Sequence, residues 1–373
     1  MEQKRLGDLA TYINGYAFKP EDRGKEGLPI IRIQDLTGNT YDLGFYNGDY
    51  PEKIEINDGD ILISWSASLG VYIWNRGKAL LNQHIFKVVF DKEEVNKQYF
   101  VFAVKYNLKE MGTKAHGATM KHIVKKDFDN TLVPFPTIEK QDVIAEILSK
   151  AAYIVDARKQ ELQKLDDLVR ARFVEMFGDI RYEEKYQGIP LRRLCTTISG
   201  GTPSTKCSEY YEGNIPWIST VSLGPNYIDG STAKGYITQE AIDNSATKLI
   251  PAGNILFGTR VGVGKSSIND VALCINQDIV AIVGIDKNRF NVLFIKYVLD
   301  TYQSYYDSIK KGATILGITG DDLKNTLIPV PPLELQNQFA DFVKVVDKSK
   351  AAVQKALDQA QLLFDSLMQE YFG

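Results

Sequence analysis

A long segment of this sequence is present twice. The phrase NTLVPFP begins at Asn130, and NTLIPVP begins at Asn325, 195 residues further along the chain. The flanking segments repeat at the same offset, GATMKHIVKKDFDNTLVPFPTIEKQDVIAEIL from Gly117 and GATILGITGDDLKNTLIPVPPLELQNQFADFV from Gly312. A match this long in a chain of 373 residues predicts that one large structural unit is present twice.

Each repeat ends in a long segment without helix-breaking residues. No proline or glycine lies between Pro136 and Gly178, or between Pro332 and the terminal glycine. A helix of about 40 residues would extend about 60 Å. Apolar residues recur every three to four positions in both segments, with charged interruptions that include Asp166 and Lys350, which is typical of a coiled-coil seam. We predict that the helices pair with each other; the alternative is that each packs only on its own domain.

The remainder of each repeat carries short β-type runs, among them LPIIRI, DILISW and HIFKVVF in the first copy and IPWIST, NILFGT and DIVAIVG in the second. Framework segments correspond, INGYAFKP with ISGGTPST and LNQHIF with INQDIV, whereas the loops between them differ. The predicted fold class is α+β, with two β-rich domains related by pseudo-two-fold symmetry, each followed by a long α-helix, and the two helices pairing as an antiparallel coiled coil. The predicted bounds are 1–137 and 181–333 for the domains and 138–180 and 334–373 for the helices.

Charge alone leaves DNA binding undecided. The net charge is -3, and each helical segment accounts for -2, while the two domain regions carry 0 and +1. Local basic patches are therefore compatible with the sequence. The sequence lacks the large excess of basic residues expected of a protein that binds DNA through its phosphates alone. The start MEQKRLGDLA has no apolar core of a signal peptide, and no uncharged apolar stretch approaches the roughly 18 residues that span a bilayer. We expect a cytoplasmic protein.

The sequence contains no complete catalytic or cofactor-binding motif. The segment GTRVGVGKSS invites a phosphate-loop interpretation, but that pattern needs glycine five residues before Gly264, where Thr259 stands. The three cysteines form no C-x-x-C pair, so we expect reduced thiols rather than a metal site. The three histidines all lie in the first copy, which favours surface or turn roles. With no methyltransferase or dinucleotide fingerprint present, we predict a chain without catalytic residues, metal or cofactor.

These residues together resemble the specificity subunits of type I restriction-modification systems. The resemblance rests on the twin boundaries NTLVPFPTIEKQ and NTLIPVPPLELQ, with Gln141 and Gln336 inside them, on NQHI and NQDI, and on the Phe-Gly pairs that end both helices. ISGGTPST followed by IPWIST also resembles the opening of a recognition domain; INGYAFKP in the first copy departs from that pattern. The resemblance extends over essentially the whole chain.

The resemblance implies two target-recognition domains that read a bipartite DNA target, one half-site each, across a gap set by the paired helices. It implies as partners double-stranded DNA, two modification (methyltransferase) subunits that methylate adenine, and restriction (translocase and nuclease) subunits reached through the complex, without a membrane. The subunit itself would not be an enzyme. Two alternatives remain, a stand-alone or module-swapping specificity protein, and a structural coiled-coil protein without DNA sequence specificity.

Polar residues in the unlike loops are the predicted DNA-binding residues, with Arg260 foremost because a guanidinium can bind guanine O6 and N7 bidentately. In the first domain the predicted residues are Lys19, Arg32, Gln34, Ser64, Trp65, Ser66, Lys114, Thr119 and Lys121. In the second they are Thr202, Ser204, Thr205, Lys206, Thr220, Ser222, Arg260 and Lys265, with Lys310, Lys311 and Thr314 expected nearer to phosphates.

Overall fold

The computed structural model describes residues 2–40, 42–114, 123–181, 185–312 and 314–373, without the side chains of residues 112–114. The chain forms two compact units. The first comprises Met1–Glu161 and Val353–Gly373, and the second comprises Leu162–Ala352. Each unit therefore contains one β-rich domain and parts of both long helices. No helix in the described ranges is long and apolar enough to cross a membrane.

The first repeat alternates short strands with a few helices. Its elements are β1 (Gln3–Arg5), α1 (Leu6–Leu9), β2 (Thr11–Asn14), β3 (Leu28–Ile31), α2 (Ile33–Leu36), β4 (Phe45–Tyr46), β5 (Glu55–Ile56), β6 (Ile61–Ser64), β7 (Gly70–Ile73), β8 (Ala79–Leu81), β9 (Ile85–Val89), α3 (Lys97–Lys114), α4 (Lys125–Asp129), β10 (Leu132–Pro134) and the long helix α5 (Ile138–Phe177). Single 3-10 turns lie at Pro20–Asp22 and Glu52–Ile54.

The second repeat follows the same order with additions. Its elements are β11 (Gly188–Pro190), β12 (Thr196–Ser199), β13 (Ile215–Ile218), β14 (Tyr227–Ile228), β15 (Gly235–Ile237), α6 (Gln239–Asp243), β16 (Leu249–Ile250), β17 (Ile255–Gly258), β18 (Ser266–Asn269), β19 (Leu273–Ile275), β20 (Ile279–Val283), α7 (Val292–Thr301), α8 (Gln303–Ile309), α9 (Gly320–Lys324), β21 (Leu327–Pro329) and the long helix α10 (Leu333–Phe372). Its 3-10 turns lie at Leu191–Arg193, Ser208–Tyr211 and Thr220–Ser222.

Strand order and direction are duplicated along with the sequence. The main sheets run β2-β9-β6-β7 in the first unit and β12-β20-β17-β18, with β14 added at the edge, in the second. The second sheets run β4-β3-β8-β5 and β15-β13-β19-β16, each with one parallel pair at its centre, β3 with β8 and β13 with β19. Short antiparallel ladders, β1 with β10 and β11 with β21, tie the start of each domain to the segment before its long helix.

The central strands β6 and β17 are buried along their whole length. Ile61 and Ile63 of β6 belong to the apolar core that also contains helix residues, whereas Leu62 belongs to the core beneath the second sheet. Phe257 and Leu256 of β17 divide in the same way. Because successive side chains of a strand point to opposite faces, one strand contributes to both cores, which explains its continuous apolar sequence.

The helices α5 and α10, of 40 residues each, run antiparallel. In the first unit Leu148, near the start of α5, shares a core with Phe364 and Met368, near the end of α10. In the second unit Phe173, near the end of α5, packs on Phe339, near the start of α10, with ring centroids 5.3 Å apart. The predicted fold class, with two β-rich domains and an antiparallel pair of long helices, is confirmed.

A buried glutamine fixes the first turn of each long helix. The side chain of Gln141 accepts a hydrogen bond from Asn96 N at 3.0 Å and donates one to Pro136 O at 3.0 Å. Gln336 repeats both contacts, with Asn291 N at 2.9 Å and with the carbonyl of the corresponding proline at 2.9 Å. An amide can accept and donate at once, so each glutamine satisfies a loop amide and a carbonyl that would otherwise be buried unpaired.

Two charged positions of the predicted seam contact each other, since Lys350 Nζ lies 2.6 Å from Asp166 Oδ1. We expect Asp166→Lys to destabilise the protein by about 0.5–1 kcal/mol, the scale of a partly exposed ion pair, because it places two lysines side by side. The double exchange Asp166→Lys with Lys350→Asp should recover most of that loss. Thermal unfolding of the full chain is the measurement, and a double variant no more stable than Asp166→Lys alone would mean that the pair contributes nothing.

Candidate nucleic-acid interface

Three segments that correspond in the two repeats lie side by side at one end of each main sheet. In the first unit the loop after β2 meets the turn between β8 and β9, because Tyr16 N donates to Leu81 O at 2.8 Å and Gln83 N donates to Tyr16 O at 2.9 Å. The end of β6 joins them through Trp65 N, which donates to His84 O at 3.3 Å. The motifs INGY, NQHI and SWS therefore form one surface of the first domain.

The second unit builds the same junction. After β12, Gly201 N donates to Ile275 O at 2.9 Å, and at the end of β17, Thr259 N donates to Asp278 O at 2.8 Å. The motifs ISGG, NQDI and GTR are thus brought together by two backbone hydrogen bonds that match those donated by Tyr16 N and Trp65 N in the first unit. The shared framework presents different side chains, so any ligand preference of the two surfaces must differ.

A close backbone approach accounts for the glycine in both loops. A Cβ atom placed on Gly15 would lie 2.0 Å from Asn82 O, and one placed on Gly200 would lie 2.0 Å from Asn276 O. Real Cβ contacts are not this short, so another residue at either position would push the loop away from the turn. The glycine in INGY and ISGG is therefore a requirement of the junction.

A cleft of about 390 Å³ opens beside the junction of the second unit. Thr202, Gln277 and Asp278 line it together with Trp217 and Lys234. The Thr202 hydroxyl donates to the Gln277 side-chain oxygen, so the two polar side chains lie in contact. The cleft therefore offers amide, carboxylate and ammonium groups, the set from which proteins build contacts to base edges and phosphates.

Arg260 lies two residues after β17, close to Asp278 in the lining of this cleft. Its side chain is 57% exposed, and its guanidinium lies 4.0 Å from the Asp278 carboxylate. An ion pair this long and this exposed contributes little free energy, so the guanidinium can turn toward an incoming acceptor at small cost. Lys311 lies nearby, because its backbone pairs with Gly317, which packs against Arg260.

Most predicted residues of the second domain are exposed in loops. The exposed residues are Thr202, Ser204, Thr205, Lys206, Arg260, Lys265, Lys311 and Thr314. Lys265 lines a different cavity, which α7 and the long helices also border. Lys310 is half-buried and forms an ion pair with Asp307. Thr220 and Ser222 are buried, and the Ser222 hydroxyl donates to Thr232 O at 2.5 Å.

The predicted residues of the first domain are placed less uniformly. Lys19 is exposed, Gln34 is half-buried, and Trp65 is half-buried with its ring stacked on Phe86 at 5.6 Å. Ser64 and Ser66 are both buried, and the Ser64 hydroxyl donates to the backbone carbonyl of Ser68 at 2.5 Å. The polar residues at the end of β6 and just after it therefore lie partly in the interior of the domain.

Arg32 is engaged within the domain, since its Nε lies 3.4 Å from the buried Asp35 carboxylate and its guanidinium also donates to Asp42 O. Three predicted residues cannot be placed by contact. Lys114 ends α3, but its side chain lies outside the described atoms, and Thr119 and Lys121 lie outside the described residues. In the first domain the described part of the candidate interface is therefore the junction of INGY, NQHI and SWS.

Gln83, Gln277 and Asp278 are not among the predicted site residues, although both glutamines are exposed at the junction. A signal for them existed, because Asn-Gln precedes β9 and β20 at matching positions. The Asn-Gln pair also marks corresponding positions of the two repeats. A repeated polar pair on a turn between two buried strands points to a surface function as well as to common framework.

A cavity of about 1010 Å³ in the second unit is lined by polar groups that hydrogen-bond to each other. Buried Lys296 donates to Asn226 Oδ1 at 2.9 Å and to Asp300 Oδ2 at 2.8 Å, and Asn226 donates in turn to Asp347 Oδ2 at 2.8 Å. Burial raises the pKa of the neighbouring Tyr297 phenol, which keeps it protonated. Since these groups bond to each other, the network links α7 to α10.

The cysteines and acidic residues form no metal centre in the described part of the chain. No group of three His, Cys, Asp or Glu residues is placed there to hold an ion. Burial raises the pKa of the Cys274 thiol to about 11, and that of Cys195 to about 11, so both remain protonated near neutral pH.

Comparison with known proteins connects this architecture to one group. The type I restriction enzyme EcoBI specificity subunit of Escherichia coli is 30% identical over 168 residues, which is 44% of this chain and 35% of that protein. The match thus spans about a third of that relative's length. The type I restriction enzyme MjaVIII specificity subunit of Methanocaldococcus jannaschii is 21% identical over 387 residues, 95% of this chain and 89% of the relative.

Two solved structures share the fold. The type-I restriction-modification system S subunit from M. genitalium aligns over 100% of this chain and 96% of its own, with a TM-score of 0.57 and 15% identity. A chain from a structural study of the complex assembly and conformational transition of the type I R-M system aligns with a TM-score of 0.52 and 17% identity, over 99% and 97% of the two chains.

The family model described as the type I restriction modification DNA specificity domain matches residues 1–166 and again residues 183–361, one match for each repeat. Together the two matches account for most of the chain and agree with the duplicated fold. The protein therefore belongs to the type I restriction-modification DNA specificity domain family.

Proposed function

We propose that this chain is the DNA sequence-recognition subunit of a type I restriction-modification complex and that it reads a bipartite target, one half-site with each domain. The observation that carries the proposal is the duplicated junction. Two of the backbone hydrogen bonds that join the three motifs recur at matching positions in both units, yet the side chains there differ, with Arg260 and Asp278 in one unit where Ser66 and His84 stand in the other. Two readers of different specificity need this combination.

The chemistry of the second-unit surface supports base reading over simple phosphate binding. Arg260, Gln277 and Asp278 provide a guanidinium, an amide and a carboxylate within one small region. These three groups match guanine, adenine and cytosine edges in the major groove, respectively. The exposed lysines 206 and 311 on the adjacent loops would set the register through phosphates. A few such contacts suffice for each half-site.

In this proposal the chain performs no chemistry of its own. Adenine methylation is carried out by modification subunits and cleavage by restriction subunits, and the long helices with the adjoining framework provide their docking surface. The polar network around Lys296 lies within the second unit, where it links α7 with α10.

The test is methylation mapping in cells that carry this chain together with its modification subunits. We expect adenine methylation at a bipartite sequence with an unspecified gap, and no methyl transfer to DNA by the purified chain supplied with a methyl donor. A chain with its second domain replaced by that of a relative should keep one half-site and change the other. Methylation at a continuous site, or methyl transfer by the purified chain alone, would contradict the proposal.

A further inference from the structure

An exposed apolar tip lies beside the second-domain reading surface. Ile315 and Leu316 are 54% and 57% exposed and follow each other in the chain. Their loop is closed at its base by two backbone hydrogen bonds, from Lys311 N to Gly317 O at 2.9 Å and from Gly317 N to Lys311 O at 3.0 Å. The closure holds two large aliphatic side chains at the surface of the domain, where they contribute little burial free energy to stability.

The tip is fixed relative to Arg260. Ile318 N donates to Thr259 O at 2.8 Å, which joins the loop to the end of β17. A Cβ atom on Gly317 would lie 2.7 Å from Thr259 O and 3.1 Å from Arg260 Cγ, so the glycine allows the two segments to touch. The aliphatic tip and the guanidinium therefore approach a ligand as one surface.

The surroundings identify the kind of ligand. Arg260 and Lys311 are both exposed and both meet the loop at Gly317, so positive charge lies at the base of the apolar tip, which suits a polyanion that also offers a small apolar group. In the major groove the guanine edge presents the acceptors O6 and N7, and the thymine C5-methyl group is the apolar feature of the base edges. A thymine next to the guanine would lie about 3.4 Å further along the duplex, within reach of an adjoining side chain.

We propose, resting on the proposed function, that Ile315 and Leu316 recognise the C5-methyl group of a thymine adjacent to the base pair read by Arg260. The second-domain half-site then contains a thymine whose methyl group is buried against this tip. The tip supplies specificity without any hydrogen bond, so it escapes a search for polar residues. It also makes the second domain sensitive to a change of one methyl group on DNA.

The test replaces each thymine of the second-domain half-site by deoxyuridine, one at a time, and measures duplex binding by the full chain assembled with its modification subunits. Deoxyuridine keeps every hydrogen-bonding group of thymine and removes only the methyl. We expect one replacement to weaken binding about three- to fivefold, the factor for burying about one methyl group. In the Ile315→Ser, Leu316→Ser double variant that replacement should have no effect. The variant Leu249→Ser, which removes an aliphatic side chain exposed on β16, should retain the wild-type response.

The remaining outcomes show whether the methyl contact or the proposed function is wrong. If every single deoxyuridine replacement leaves binding unchanged while the duplex still binds specifically, the methyl contact does not exist and the proposed function stands. If the double variant weakens binding equally on all sequences, the tip acts as a wedge or as backbone packing, and methyl recognition is overturned. If no duplex binds specifically to the assembled wild-type chain, the proposed function itself fails. Circular dichroism of the double variant confirms that its domain is folded.

Discussion

Replacing Arg260 by alanine should relax the preference for one base pair in one half-site by about 5- to 150-fold, corresponding to about 1–3 kcal/mol for a bidentate contact. The side chain is exposed at the junction and its nearest carboxylate, that of Asp278, is 4.0 Å away. A guanidinium in this position loses little when it leaves Asp278 and gains two charge-assisted hydrogen bonds on guanine. Affinity for the preferred sequence should fall, while affinity for the three other base pairs should change little.

The measurement is competition binding with duplexes that carry each of the four base pairs at each position of both half-sites. The half-site read by the first domain serves as an internal control, because its preferences should not change. Arg260→Lys tests the geometry, since an ammonium keeps the charge but cannot form the planar fork; it should behave more like the alanine variant than like wild type. A loss that is uniform over all sequences would place Arg260 on phosphate. No loss at all would remove it from the interface.

The sequence predicted the fold well because the decisive signals are long. A duplicated segment and two breaker-free segments of about 40 residues leave few architectures open, and even polar seam residues such as Asp166 and Lys350 turn out to contact each other. The junction of the two domains was partly predictable as well. Its motifs were visible as corresponding segments, but that these segments meet in space follows only from the strand order.

Site residues were harder to predict because small polar side chains serve the interior as well as the surface. Ser64 ends β6 and Ser222 lies in the 3-10 turn after β13, and both look like loop polar groups in the sequence, yet each donates its hydroxyl to a backbone carbonyl of its own domain. Nothing in a single sequence separates this use from DNA contact. Ile315 and Leu316 are the opposite case. Aliphatic residues are expected in a core, whereas the structure exposes these two. The environment of a residue, more than its polarity, decides these cases.

Lengthening both long helices by two heptads should change the gap between the half-sites and leave the half-sites themselves unchanged. Each helix belongs to both units, α5 passing from the first to the second between Glu161 and Leu162, and α10 returning between Ala352 and Val353. Inserting 14 residues at both points keeps the apolar seam in phase, because the seam repeats every seven residues. It adds about 21 Å of helix between the part that packs in one unit and the part that packs in the other.

On DNA about 21 Å corresponds to about six base pairs at about 3.4 Å each, which is more than half of a helical turn of about 10–10.5 base pairs. The groove at the displaced half-site then faces away from its domain. We therefore expect either a methylated site with a gap about six base pairs longer or no methylation. Inserting the heptads into α5 alone should abolish methylation, because the facing helix can no longer match its length. Insertion of four residues in both helices shifts the seam out of phase and serves as a second control.

Methylation mapping with the modification subunits present decides between the explanations. If the lengthened chain methylates the original site with the original gap, the helices do not set the spacing, and the domains must be positioned by the partner subunits. If the half-site sequences change, the insertion has altered the readers, and the comparison no longer concerns the gap. A longer gap with both half-sites intact would assign base reading to the two junctions and spacing to α5 and α10, and would thereby explain why the chain repeats a domain and a long helix together.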